Sequence, residues 1–316
     1  MRVLLAMDGS AASDAARDLV ASLTWPEATV IRVIAVVEPM SAVLVGISPY
    51  AATEFDDREI AAALESRLTD AAVHLARSAS TVETRLLHGR PGSAIVAEAI
   101  DLRADLIVVG SRGLGRLRSM LLGSVSAEVV DHAPCPVLVA RAPSIGPVLV
   151  AVDGSDSSRR AVEHLADAKY LAGHRLHVLT VGPLVHSGRP VWALGMTESA
   201  ARTADDLVAD ERRRTEAHAA RAAEALMHDG FDVHWTVGAG EAAHEIIEAA
   251  EAFDCDLIVM GSRGLTGLDR ILLGSVARNV LHHARASVLI VREPVRERRD
   301  EPVRERVRLP ALSPAG

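Results

Sequence analysis

The sequence DLIVVGSRGLGRLRSMLLGSV occupies residues 105–125, and residues 256–276 repeat it as DLIVMGSRGLTGLDRILLGSV. Of the 21 aligned positions, 15 are identical. Each copy opens with a short apolar run of the kind that forms a strand buried on both faces. A glycine-rich turn follows, and Gly-Ser then precedes helical sequence. Each copy therefore predicts a strand, a glycine loop and a helix.

The glycines in the two copies share the spacing G-x2-G-x9-G-S. Glycine lets the backbone approach a bulky anion, and a helix N-terminus offers unpaired N–H groups at the positive end of its dipole. A serine at the helix start can cap the helix or donate its hydroxyl to a phosphate. A plain strand–turn–helix connection also explains one copy. Two copies with the same nine-residue gap favour a pair of phosphate sites.

Strands alternate with helices throughout both halves of the chain. Strands are predicted at 2–7, 29–37, 81–88, 105–109 and 136–141, and the cycle restarts at Val148 after a linker at 142–147. This alternation predicts the α/β class, as two tandem doubly wound parallel sheets of the Rossmann-like kind. The expected domains are 1–142 and 147–293, and the charged, proline-containing remainder at 294–316 is expected to be disordered. Ligands of such sheets bind beyond the carboxyl ends of the strands.

Composition narrows the class of protein. The 316 residues allow two domains, and because only 3% are aromatic, the cores must be built from Val, Leu, Ile and Ala. The net charge of −8 argues against general nucleic-acid binding. No apolar segment reaches the roughly 20 residues that span a bilayer, and no cleavage site follows the N-terminus. Two cysteines give no disulfide framework. We therefore expect a cytoplasmic protein without a membrane partner.

The G-x2-G-x9-G-S spacing resembles the ATP-binding signature of the universal stress proteins. The resemblance covers nearly the whole chain, twice, and leaves out mainly the tail. It implies two domains that bind an adenine nucleotide, with ATP as the ligand and Mg²⁺ arriving on the phosphates. It also implies pairing through the fifth strands, so we expect the two halves to pair with each other about a pseudo-two-fold axis. A homodimer of whole chains stays open.

One group of residues matches the family's adenine pocket. An aspartate ends the first strand of each half, and in the family this residue lies against the base, beside the backbone of the strand. From the residues alone, a helix-capping role for each aspartate is as well supported as a ligand-binding role, and each matching valine would be assigned to the core. The second half has two glycines where the first has a Gly-Arg-Pro turn, so the match is incomplete there. The group comprises Ala6, Asp8, Val36 and Gly89, and then Ala151, Asp153, Val181 and Gly238.

A second group matches the family's phosphate loop. We expect the backbone amides at the start of the following helix to donate to phosphate, and two arginines to add charge. The first loop is the more basic, which predicts tighter triphosphate binding in the first half. The group comprises Gly110, Arg112, Gly113, Gly115, Arg116, Gly123, Ser124 and Val125, and then Gly261, Arg263, Gly264, Gly267, Gly274, Ser275 and Val276.

The residues favour binding over catalysis. There is no G-x4-G-K-[ST] motif, and no acidic residue is placed to orient a water or to fix magnesium, although phosphoryl transfer depends on such positioning and charge neutralisation. The thirteen histidines show no metal-ligand spacing, so no catalytic or metal residue is assigned. Three functions stay open: a nucleotide-binding regulator with an unknown protein partner, a slow ATPase or autophosphorylating protein, and a nucleotide-free scaffold.

Overall fold

The computed structural model describes residues 1–38, 57–79, 81–113, 122–182, 198–264 and 273–292. The sequence-predicted residues Gly115, Arg116 and Gly267, and the expected tail at 294–316, lie outside this part. The first half consists of β1 (Arg2–Ala6), α1 (Ala11–Ser22), β2 (Val30–Val37), α2 (Asp57–Leu75), β3 (Thr81–His88), α3 (Pro91–Leu102), β4 (Leu106–Gly110), α4 (Ser124–His132) and β5 (Val137–Ala140).

The second half repeats this order after a short connection. It consists of β6 (Val148–Ala151), α5 (Asp156–Asp167), β7 (Arg175–Gly182), α6 (Glu198–His228), β8 (Asp232–Ala239), α7 (Ala242–Ala252), β9 (Leu257–Gly261), α8 (Ser275–His283) and β10 (Ser287–Val291), with a 3₁₀ turn at Lys169–Leu171 after α5. None of the helices in the described ranges is both long enough and apolar enough to cross a membrane.

All ten strands belong to one sheet, in the order β3-β2-β1-β4-β5-β10-β9-β6-β7-β8. Within each half every neighbouring pair is parallel, and the strand order reverses between β1 and β4, and between β6 and β9. The doubly wound α/β prediction is therefore confirmed. A ligand of such a sheet is expected where the order reverses, because the loops leave a crevice there.

The two halves join through β5 and β10, the one antiparallel pair among the described strands. Leu138 lies opposite Leu289, and both are almost fully buried. The expected pairing of the halves through their fifth strands is therefore confirmed. Since each strand would otherwise be an apolar edge, the pairing removes two surfaces prone to aggregation.

Two hydrophobic layers cover the sheet and continue through both halves. One layer packs under α1, α2, α5 and α6, and the other under α3, α4, α7 and α8. In the first layer the ring of Trp25, after α1, stacks on that of Tyr170 in the second half, with centroids 5.1 Å apart. The halves therefore share a core rather than touching only through the sheet.

The first helix of each half is capped by a serine, not by the aspartate considered from the sequence. The side chain of Ser10 accepts the N–H of Ser13, and Ser155 caps α5 in the same way. Asp8 instead accepts the N–H of Ser10 at 3.0 Å, which closes the turn between β1 and the helix. The serine can cap because its extended backbone directs its oxygen at the free N–H groups of the first turn.

Candidate functional site

A cavity of about 380 Å³ opens in the first half at the carboxyl ends of β1 and β4. Its apolar wall includes Ile34 and Ile95, and its other wall is formed by the glycine loop and the first turn of α4. The volume falls within the roughly 300–1,000 Å³ of typical small-molecule sites. The cavity lies at the reversal of strand order, where a ligand is expected.

A matching but smaller cavity of about 140 Å³ lies at the ends of β6 and β9. Most wall positions carry the same residue or a smaller one. Met260 stands where the first half has Val109, and it is the one clearly bulkier residue among the paired wall positions. The repeat has therefore preserved the shape of the site but reduced its capacity.

The structure brings most of the sequence-predicted residues together around these cavities. The first cavity is lined by Ala6, Asp8, Val36, Gly110, Arg112, Gly113, Gly123, Ser124 and Val125. The second is lined by Ala151, Asp153, Val181, Gly261, Arg263, Gly264, Gly274, Ser275 and Val276.

Two predicted residues do not line either cavity. Gly89 lies beyond β3, and Gly238 lies within β8, opposite Val181. The residue that corresponds to Gly89 is Gly240, which follows β8 and likewise has a positive φ. Gly238 and Gly240 are only two residues apart, and the end of β8, which decides between them, is not marked in the sequence.

Other wall residues were not predicted. Ile34 lies two positions before Val36 in β2 and so projects from the same face of the sheet, a relation that strand alternation makes visible. The walls supplied by helices have no such local signal. The additional wall residues are Met7, Ser13, Ile34, Pro91, Ile95, Val109, Leu122 and Ser126, and then Val152, Ser158, Leu179, Ala242, Ile246, Met260 and Ala277.

The start of α4 corrects two expectations. Gly123 is the cap residue and its own N–H donates to the carbonyl of Ser111 at 2.7 Å, so this amide is already engaged. Ser124 is the first residue of the helix and makes no side-chain cap. The N–H groups of Ser124 and Val125 fall in the first turn, where a helix supplies no acceptor. Of the three amides expected from the sequence (Gly123, Ser124 and Val125), those of Ser124 and Val125 therefore stay available as anion donors.

The same arrangement recurs in the second half. Gly274 caps α8 and donates its N–H to Ser262 at 2.8 Å, which leaves the first-turn amides of Ser275 and Val276. The aspartates lie against the loops: a β-carbon on Gly113 would lie 2.5 Å from Oδ2 of Asp8, and one on Gly264 would lie 2.9 Å from Oδ2 of Asp153. The glycines therefore make room for the carboxylates.

The two loops differ in one amide. In the second half the hydroxyl of Ser157 accepts the N–H of Arg263 at 3.2 Å. The corresponding residue of α1 is Ala12, which has no hydroxyl to accept the N–H of Arg112. Ser10 instead donates its hydroxyl to the carbonyl of Arg112 at 3.1 Å. The first loop thus keeps one more donor for an anion.

Gly110 has a packing role distinct from ligand binding. A β-carbon there would lie 2.7 Å from the carbonyl carbon of Ala12, in the backbone of α1. A backbone atom cannot rotate away, so we expect Gly110→Ala to destabilise the protein by about 1–3 kcal/mol, the usual cost of overpacking. Urea unfolding would measure it. Gly123→Ala, whose β-carbon approaches the Cα of Arg112 only to 3.3 Å, is the control, and an equal loss in the two variants would contradict this assignment.

No cluster of histidine, cysteine, aspartate or glutamate suited to a metal ion occurs within the described ranges. Each cavity offers backbone donors, one arginine, one carboxylate and an apolar wall. This combination suits an anion attached to a flat apolar group.

Comparison with known proteins identifies a family that matches both halves of the chain. The model of the "Universal stress protein family" matches the chain twice, at residues 1–141 and 145–292. A universal stress protein of Mycolicibacterium smegmatis is 33% identical over 199 residues, which cover 60% of this chain and 62% of that protein. The chain thus aligns with somewhat less than two thirds of that relative.

A solved structure that matches most of the chain agrees on the fold, and a second one matches about half of the chain. A universal stress protein from Archaeoglobus fulgidus covers 92% of this chain and 98% of its own, with a TM-score of 0.62 and 23% identity. A universal stress protein whose crystal structure was determined in complex with cAMP covers 46% of this chain and 97% of its own, with a TM-score of 0.35 and 27% identity.

Proposed function

The chain belongs to the universal stress protein family, and from this premise we propose that it is an ATP-binding regulatory protein with one nucleotide site in each half. The adenine would lie against the apolar wall of each cavity, and the phosphates would lie on the glycine loop. Any Mg²⁺ would arrive on the phosphates. The proposed setting is a cytoplasmic stress response in which occupancy alters the surface presented to a protein partner.

One observation carries the proposal. In each half an apolar cavity is continuous with the first turn of a helix whose N–H groups have no helical acceptor. In the first half Ile34 and Ile95 suit a purine, and the amides of Ser124 and Val125 suit a phosphate. A base and a phosphate joined by a ribose would satisfy both parts of the site at once.

Calorimetric titration of the intact chain with ATP, ADP and AMP tests this. We expect saturable heat with ATP, and mass spectrometry of nucleotide released from the purified protein should find an adenine nucleotide. A chain that binds none of the three and releases none would instead be a nucleotide-free scaffold. Steady-state turnover with magnesium and ATP separates the regulator from the slow ATPase.

The first half is expected to bind more tightly. Its cavity is larger, about 380 against 140 Å³, and its Arg112 amide is not engaged by a hydroxyl from α1. Gly123→Ala and Gly274→Ala form a matched pair, because each added β-carbon would lie 3.3 Å from the Cα of the loop arginine. We expect Gly123→Ala to remove the tighter phase of an ATP titration, a loss of about tenfold or 1.4 kcal/mol, and Gly274→Ala to leave it. Equal losses would refute the ranking.

A further inference from the structure

Two arginines cross between the halves just beyond the paired fifth strands. Arg141 follows β5, and its Nη1 donates to the carbonyl of Ala286 at 2.9 Å while its Nη2 donates to that of Leu281. Arg292 follows β10, and its Nη1 donates to the carbonyl of Val130. Each arginine therefore bonds the backbone of the half to which it does not belong.

The carbonyls that they reach occupy matching positions. Leu281 is the third residue from the end of α8, and Val130 is the third from the end of α4. The last four carbonyls of a helix have no partner within it, so a guanidinium donor there satisfies an otherwise open acceptor and favours the negative end of the dipole. The two contacts are related by the pseudo-symmetry of the chain, which indicates a shared role.

The two helices held in this way, α4 and α8, are the ones whose N-terminal turns line the cavities. α4 presents the amides of Ser124 and Val125 at its other end, and α8 presents those of Ser275 and Val276. Nine residues make a helix about 13 Å long. A contact that fixes its C-terminal end in one half of the molecule therefore sets the direction of the amides in that half's site.

Each arginine is also electrostatically close to the loop of its own half. Burial, and to a smaller extent the neighbouring charge of Arg112, lower the pKa of Arg141 to about 10. Burial likewise lowers the pKa of Arg292, where Asp131 opposes the effect and Arg263 adds to it. An anion on a loop would offset the repulsion between the two guanidinium groups of that half.

We propose that Arg141 and Arg292 are positioning residues that couple the two nucleotide sites, each holding the phosphate-binding helix of the opposite half. The coupling is positive, since phosphate on one loop relieves repulsion at the arginine that supports the other helix. Arg278 of α8 and Asp131 of α4 add a direct link between the helices, with Nη2 and Oδ1 3.1 Å apart. This inference rests on the proposed nucleotide binding.

Single-site backgrounds isolate the support that each arginine gives to the site of the opposite half, and comparison with the parent chain, in which both sites can fill, gives the coupling. Val36→Phe and Val181→Phe each fill one cavity and leave the other site for titration with ATP. With only the second site open, we expect Arg141→Gln to weaken binding about fivefold or more, the lower range of allosteric coupling. With only the first site open, where Arg141 contributes its charge but holds no helix end, Arg141→Gln should weaken binding less, by about twofold at most. Arg292→Gln should give the mirror result, and Arg141→Lys should restore part of the loss.

Arg285→Gln is the control. This exposed arginine lies just after α8 and pairs with the carboxylate of Glu251 at 3.7 Å, not with a helix-end carbonyl. It should leave both sites unchanged. A general loss of stability would weaken ATP binding at both sites alike. The decisive result is therefore a larger loss of affinity in the half opposite to the mutated arginine. A larger loss in the mutated half than in the opposite half, or an equal loss in both, would overturn the coupling alone.

Failure of the proposed function is distinguished from failure of the coupling by the ATP titration of the parent chain. If the parent chain binds no ATP, both that function and the coupling are overturned. Hydrogen exchange of nucleotide-free Arg141→Gln then reports whether the positioning survives: faster exchange confined to the hydrogen-bonded amides of α8 would support it, and unchanged exchange there would reject it.

Discussion

Replacing Val36 by phenylalanine should abolish useful ATP binding in the first half, with a loss of at least about 100-fold, or 2.7 kcal/mol. Val36 lies near the end of β2, is partly buried and lines the cavity. A phenyl ring there occupies the space proposed for the base. Excluding about 100 Å² of apolar base surface from burial costs roughly 2.5 kcal/mol, which agrees with the expected loss. Calorimetric titration with ATP would measure it.

The chain supplies matched controls for this variant. Val181→Phe should remove binding in the second half and leave the first intact, because Val181 lines only the second cavity. Thr84→Phe adds the same ring on the exposed edge strand β3 and should leave both sites unchanged. Retained binding in both halves of Val36→Phe would show that the nucleotide lies elsewhere.

Acidification from pH 6.5 to pH 4 should cost the protein up to about 3 kcal/mol through His164 alone. Burial lowers the pKa of His164 to about 4, with a partial offset from Asp167. Its Nε2 lies 2.8 Å from the hydroxyl of Tyr170, which stacks on Trp25 of the other half. A pKa depressed by about 2.5 units from the ordinary 6.5 corresponds to roughly 3 kcal/mol.

The sign follows from proton binding. Between the two pKa values the unfolded chain binds a proton at His164 that the folded chain does not, so the free energy of unfolding falls as the pH falls through this window. Above pH 6.5 both states are neutral at this site and the contribution vanishes. Burial raises the pKa of Tyr170, so its hydroxyl stays protonated throughout.

Urea unfolding at several pH values would test this against other titrating groups. His164→Phe should flatten the profile between pH 4 and 6.5 by the stated amount. His228→Gln, at a side chain that is 90% exposed, should keep the parent profile. A parent-like slope in His164→Phe would mean that this histidine is protonated in the folded protein.

The sequence predicted the features that depend on local pattern. The apolar runs of β4 and β9, each between an aspartate and a glycine, indicated fully buried strands, and both are fully buried. The repeated glycine loop indicated one phosphate site in each half, and the structure has a cavity beside the loop in each half. These features were visible because strand alternation and turn chemistry act over a few residues.

What sequence reasoning missed depends on contacts between distant residues. The engaged amide of Gly123 requires knowing that Ser111 lies beside it. The role of Gly110 depends on the passage of α1 against the strand end. The contacts of Arg141 join residues about 140 positions apart in the chain, and no local pattern marks an arginine as a bridge rather than a solvated side chain.

The central claim is that helix N-termini hold the phosphates of an adenine nucleotide in both halves. Its most direct test is a titration of the ¹⁵N-labelled chain, in which the backbone amides of Ser124, Val125, Ser275 and Val276 are followed by NMR. We expect saturable shifts of these four amides with ATP and much smaller ones with adenosine, which lacks phosphate. Amides that stay unmoved by ATP while the nucleotide binds elsewhere, or does not bind, would contradict it.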